Sequence, residues 1–445
     1  DSLFQSRAAG TPGGGAFPSP VYCQPHPFPN HPGSPSMVRE RLPGAVYLLM
    51  AVQALSLCTA PLYFLSGGIV GNALAPRPGL ATLPVACIIV ATALAVVPVT
   101  RAMRRFGRKR LFLAGALVNG AGALLAAGAL AAGSFVLFCA AGAAAGMSIA
   151  VAQQYRFAAI ETVPPALAGK ATARVLLAGL AAAWLGPELV TWGAFAEALP
   201  LATGARPAHG AFIGGFLLLA VIAAAVALLV AVGYRNVPVP DAESRGNARP
   251  LRTLLASPLL RLAIIAAAMG YAMMSFMMTA TPLSMHSIDG HSLAETKWVI
   301  QSHIMAMFAP SLFSGWLITR LGHRRMIALG ILAYLACLAI AASGQHLLHY
   351  WWALVLLGIG WNFLFVTGTA LLPQCHTPAE RFRVQSLNEF AVFGCQAVAA
   401  LASGWVINGF GWPVLVWLSA GMVAAVLAAL WQARDAEPDV AAEAL

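Results

Sequence analysis

Apolar stretches of about twenty residues recur along nearly the whole chain, separated by short segments that hold most of the charge and turn residues. A hydrocarbon core of about 30 Å is crossed by roughly twenty residues of α-helix. The stretches near 45–70, 80–100, 111–132, 134–155, 172–193, 210–233, 258–284, 297–318, 326–344, 350–373, 386–407 and 412–432 are therefore predicted to be twelve membrane spans. Proline within several of them (Pro61, Pro187, Pro282, Pro310) is tolerated because neighbouring helices can satisfy the freed backbone groups. The predicted class is an all-α integral membrane protein in a lipid bilayer.

Composition agrees with the pattern. Hydrophobic residues make up 60% of the chain and charged residues 9%, against about 25% in a soluble domain. Alternating the loops places 23 of the 26 Lys and Arg on the side of the N-terminus, leaving only Arg77, Arg206 and Lys297 on the other. The positive-inside rule then predicts that both termini are cytoplasmic. It also accounts for the net charge of +11 without any nucleic-acid partner.

An internal repeat divides the spans. Arg105-Phe106-Gly107-Arg108-Lys109-Arg110 aligns without a gap on Arg320-Leu321-Gly322-His323-Arg324-Arg325, 215 residues later, and Pro165-Ala166 near Gly169-Lys170 answers Pro378-Ala379 near Phe382-Arg383. The organisation expected is a Pro/Gly-rich leader (1–36, disordered or non-native), a six-helix half (37–233), a cytoplasmic linker (234–257), a second six-helix half (258–433) and a cytoplasmic tail (434–445). Six-plus-six helices with a basic turn between the second and third of each half resemble the major facilitator superfamily. That resemblance implies two pseudo-symmetric halves rocking about a site near the midplane, usually in a monomer. Arg105, Arg108, Arg320 and Arg324 are then gate candidates, expected to cap helix ends and to pair with acidic groups across the halves.

Candidate chemistry concentrates in the seventh and eighth spans. Eight of the fourteen methionines lie between Met269 and Met307. Thioether sulfur prefers Cu(I), and imidazole binds copper of either oxidation state; methionine is also an adaptable filler of apolar interfaces. Residues four apart share a helix face, so Met274 with Met278, Met273 with Met277, and His303 with Met307 each offer two donors to one side. An ionisable group inside a span is a functional candidate by default. The short loop from Met285 to Thr296 suggests that the two helices are antiparallel neighbours.

The Met274-to-Leu283 run and Gln301-to-Ser311 look like the CcoA-like (CalT) copper importers, with Met-x-x-x-Met on helix seven and His-x-x-x-Met on helix eight. Gln154 to Ala159, Gly360 to Val366 and Glu380 to Asn388 agree. The resemblance implies that Met274, Met278, His303 and Met307 bind copper as transported substrate, with no permanent cofactor. It further implies uptake across the bacterial inner membrane for haem-copper (cbb3-type) cytochrome oxidase assembly, with a cytoplasmic copper chaperone receiving the ion. Met273, Met277, Met305, Met285 and His286 are additional sulfur and nitrogen donors of accessory or packing role.

Other polar positions complete the expectations. Gln154, Gln301, Asn362 and Asn388 are candidates for the substrate cavity, Asn362 lying between Trp361 and Phe363. Glu188 after Gly186-Pro187, together with Glu389 and Arg156, are candidates for proton coupling or gating, since a buried carboxyl can load and unload a proton. The seven cysteines form no Cys-x-x-Cys and no zinc spacing. Enzyme motifs such as Gly-x-Ser-x-Gly, a phosphate loop or His-Glu-x-x-His are absent. An amide-and-aromatic pocket also suits a flat heterocycle, so uptake of riboflavin, whose transporters are similar in sequence to the copper importers, is an alternative. Proton-coupled drug efflux is another, weakened because the stretch Phe138 to Gly146 lacks the arginine expected in helix four of many antiporters.

Overall fold

The computed structural model describes residues 42–164, 174–175, 177–195, 207–236, 249–377 and 380–435. The leader with Cys23, His26 and His31, the linker core (237–248), the end of the tail and the Pro165/Pro378 repeat pair lie outside the described residues. What is described is helical, without strands among the described residues.

Long apolar helices follow the predicted spans: α1 (Gly44–Leu74), α2 (Pro78–Met103), α3 (Arg108–Ala131) and α4 (Phe135–Ala159). After them come α5 (Ala178–Gly193), α6 (Pro207–Gly233) and α7 (Pro258–Ile288). The eighth, α8, is broken by 43° between Leu293–Phe308 and Ser311–Leu321, where Pro310 cannot continue the hydrogen-bond ladder. Next are α9 (His323–Ser343) and α10 (Leu347–Cys375). The final helical segment, Arg381–Gln432, has 52 residues and would measure about 78 Å if straight, too long for one crossing. It breaks at Gly411, whose φ of 79° lies in the left-handed region, into α11 (381–410) and α12 (412–432). Twelve crossings are accommodated.

The repeat is visible in the backbone. Gly107 and Gly322 both adopt φ near 80° (82° and 79°) with extended ψ (154° and 160°), each joining two helices through one residue. A side chain at either position would sit in strained left-handed geometry, which explains why both basic turns carry glycine there. We call the end of the bundle bearing these turns and the linker the linker end, and the opposite end the far end.

Helices approach closely where residues are small, since van der Waals contact rather than water expulsion holds membrane helices together. A Cβ on Gly214 of α6 would lie 1.9 Å from the Gly193 carbonyl of α5, and one on Gly146 of α4 would lie 2.2 Å from the Ile88 carbonyl of α2. In the second half α7 is central: 78% of its most apolar window is buried, against 33% for α6. α8 packs chiefly on α10 and α5 and scarcely touches α7. The expected α7–α8 neighbour pair is therefore corrected. The loop is short, yet α10 fills the space between them, packing on both.

Among the described residues, the hydrogen bonds that join the halves lie toward the far end. Thr82 Oγ1 donates to the Ala400 carbonyl and accepts from Gly404 N–H, and Asn408 Nδ2 donates to the Pro78 carbonyl. Lys297 of α8 donates to Glu188 of α5 at 2.9 Å and to Thr191 at 2.8 Å. Nearer the linker end Leu94, Val97 and Phe390 of α2 and α11 are exposed.

Candidate functional site

Both halves contribute to a cavity in mid-bundle. α1 supplies Leu57, Ala60, Pro61 and Phe64; α2 supplies Ile88, Ile89 and Thr92; α4 and α5 supply Ile149, Gln153, Gly179, Ala182 and Ala183. From the second half come Tyr271, Met274 and Met278 of α7, Ile304, Met307 and Phe308 of α8, and Phe393 and Gln396 of α11. The cavity together with the open solvent space at its mouth amounts to about 850 Å³. Its walls are mainly apolar, and the side chains that can hydrogen-bond are Thr92, Gln153, Tyr271 and Gln396. Aromatic rings stand behind one wall: Tyr271 meets Trp361 and Phe365 edge-on at 5.1 and 4.8 Å, and Trp361 stacks on Phe365 at 5.2 Å.

The four residues proposed as metal ligands are not all on this surface. Met274, Met278 and Met307 line the cavity, so the α7 pair shares one face while of the α8 pair only Met307 reaches the lining. His303 is fully buried, is not part of the lining, and shares a hydrogen bond of 2.7 Å between Nδ1 and the Leu354 carbonyl of α10. A carbonyl can only accept, so Nδ1 carries the proton and Nε2 presents its lone pair, without a partner. Met273, Met277 and Met285 are fully buried in the core of the second half, while Met305 is 42% exposed on the outside of the bundle. His286 is occupied by the His291 carbonyl at 2.9 Å. The lining includes no cysteine.

The amides predicted for the cavity do not line it either. Asn362 is buried as a brace between α10 and the break in α8, donating to the Met307 carbonyl and bonding Ser311 and Ser314 at 2.6 to 2.7 Å. Gln301 donates to the Trp184 carbonyl and Glu188. Gln154 and Asn388 are buried outside the lining. The residues that do reach it, Gln153 and Gln396, are polar span positions with no sequence mark distinguishing them from their neighbours. At 153–154 the helix relaxes into a turn.

The charged candidates form gates and braces. Glu188 accepts from Lys297 and Gln301, which makes it a latch between halves at the far end. Arg108 pairs with Glu161 through Nε at 2.8 Å and Nη2, but Glu161 belongs to the same half, so the expectation of a partner across the halves is corrected for Arg108. Helix α4 ends beside the basic turn and puts the carboxylate within reach. Arg105 lies over the Phe106 ring, Arg320 lies over Trp316, and Arg324 bonds the Arg434 carbonyl of the same half. Arg156 sits over the Phe157 ring with its Nε unpartnered, and Glu389 is exposed. Outside the membrane, Arg249 from the linker grips Glu380 before α11 at 2.7 Å, which holds that carboxyl down at about 2.

Two six-helix halves around a shared central cavity, hydrogen-bonded to each other toward the far end, are the arrangement of a membrane transporter. The family model of the Major Facilitator Superfamily matches residues 265–444. The riboflavin transporter RfnT of Brucella anthropi is 38% identical over 386 residues, covering 86% of this chain and 94% of that one. An uncharacterized MFS-type transporter of Bacillus subtilis, YddS, is 27% identical over 78% of this chain and 81% of its own length. Among solved structures, the nucleoside transporter NupG superimposes with a TM-score of 0.66 at 12% identity, covering 87% of this chain and 99% of that one. An inward-facing, unoccupied bacterial homologue of the lysosomal transporter Spinster gives 0.63 at 14%, covering 87% and 94%. The chain belongs to the major facilitator superfamily and is a multi-pass membrane transporter. The narrower likeness to copper importers has no counterpart in these relatives.

Proposed function

We propose that this protein imports an uncharged flat heterocycle of the riboflavin type across the bacterial cytoplasmic membrane by alternating access. The observation that carries the proposal is the cavity. Both halves line it, and a mainly apolar surface with a few convergent polar groups is the usual character of a small-molecule site. Its apolar and aromatic walls with few polar groups suit a fused ring system. Thioethers contact aromatic rings favourably, so Met274, Met278 and Met307 serve as walls for a planar ligand. The 38% identity with a riboflavin transporter over most of both chains supports the same reading. The linker end, rich in Lys and Arg, is assigned to the cytoplasm by the positive-inside rule, so the far-end latch closes the outer side.

One observation favours copper as the second reading. His303 donates Nδ1–H to a backbone carbonyl and keeps a bare Nε2, the arrangement that orients a metal-binding imidazole. Radiolabelled riboflavin uptake, with cellular copper measured by mass spectrometry, separates the two in cells that lack their own importers of both. The expected result is riboflavin accumulation that survives His303→Leu within about twofold, with copper unchanged. Copper accumulation abolished by His303→Leu, without riboflavin uptake, would overturn the proposal.

A further inference from the structure

One helical turn beyond the cavity, toward the linker end, the lining changes from apolar to polar. Gln53 precedes Leu57 of the lining by four residues on α1, and Glu389 precedes Phe393 by four and Gln396 by seven on α11. Positions so spaced share a helix face, so both continue the wall that faces the substrate. Arg156 lies just past the turn at 153–154 in α4, near enough to interact electrostatically with Tyr271 of the lining and with Glu389 of the other half. Gln53 is 6% exposed with Oε1 unpartnered, Arg156 Nε is unpartnered, and the amide oxygen of Asn388, beside Glu389, is unpartnered as well. Buried polar atoms without partners are costly and call for an occupant that supplies them.

We infer that Gln53, Arg156 and Glu389 form a polar collar that binds the polyhydroxyl chain of the transported solute while its ring system fills the apolar cavity. This rests on the heterocycle reading and adds the orientation and the charge of the substrate. A guanidinium only donates, a carboxylate only accepts, and an amide does both; hydroxyl groups, which donate and accept, satisfy all three at once. The opposed charges also exclude ions. A phosphate at the end of the chain would gain from Arg156 but meet Glu389 as a like charge, so the collar selects the neutral form over the phosphorylated one.

The test uses purified full-length protein and quenching of flavin fluorescence with three probes: riboflavin, riboflavin phosphate, and lumichrome, a related tricycle without the polyhydroxyl chain. Arg156→Gln is expected to weaken riboflavin about tenfold or more, the scale of a charged hydrogen bond, and to leave lumichrome within about twofold. Glu389→Gln is expected to narrow the preference for riboflavin over its phosphate by about tenfold. Lumichrome binding reports the folded cavity in each variant, and Gln53→Ala is a milder second probe of the same collar. If wild type binds riboflavin but the collar variants weaken lumichrome as much, or leave the phosphate preference unchanged, the collar is overturned alone. If wild type binds none of the three, the heterocycle reading falls and the collar with it.

Discussion

Replacing Lys297 with Met removes the ion pair to Glu188 (2.9 Å) and the bond to Thr191 (2.8 Å), both formed across the halves at the far end. The side chains of the pair are 17% and 14% exposed. Breaking a fully buried pair costs about 3–5 kcal/mol and an exposed one contributes about 0–1 kcal/mol; the partial burial here places the loss at about 2 kcal/mol. Gln301 still bonds Glu188 from 3.1 Å, which keeps the loss from the upper value. The latch bonds join the halves only while the far end is closed, so the loss shifts the balance toward far-end-open states by about thirtyfold. Spin labels at Asn72 of α1 and Ala294 of α8, both exposed at that end and on opposite halves, read the shift as a new long-distance population in pulsed electron resonance. The charge-swapped pair Glu188→Lys with Lys297→Glu is expected to restore the short distance. An unchanged distance distribution in Lys297→Met, or a swap that fails to restore it, would refute the latch.

Glu380 is held at about 2 by Arg249, below the 4.5 ordinary for a glutamate side chain. Its folded value is depressed, so its contribution is present above 4.5 and lost as pH falls through 4.5 toward 2. Because Arg249 is 38% exposed, that contribution is about 1–2 kcal/mol, and Glu380→Gln should flatten the matching part of a melting profile taken from pH 5 to 2.5. Gly146→Ala drives a Cβ to within 2.2 Å of the Ile88 carbonyl and should cost about 1–3 kcal/mol of stability. Gly128→Ala, with nothing within 4 Å, is the control and should melt with wild type.

Hydropathy by itself determined the membrane class, since the run length needed to cross a bilayer does not depend on tertiary contacts. The basic repeat was equally legible: Gly107 and Gly322, 215 residues apart, share one left-handed backbone geometry that only local sequence demands. The i, i+4 spacing correctly put Met274 and Met278 on one face. What each face looks at was decided by the tertiary structure. In water an amphipathic stripe marks the buried side of a helix, but in a bilayer lipid and protein neighbours are both apolar and the stripe disappears. Nothing in the sequence therefore kept His303 out of the cavity that Met307 lines, or placed α10 between α7 and α8. His303 turned to the Leu354 carbonyl and Asn362 to the break in α8 for the same reason: a polar group in an apolar span takes whichever partner its neighbours bring within reach, and packing alone chooses the neighbours.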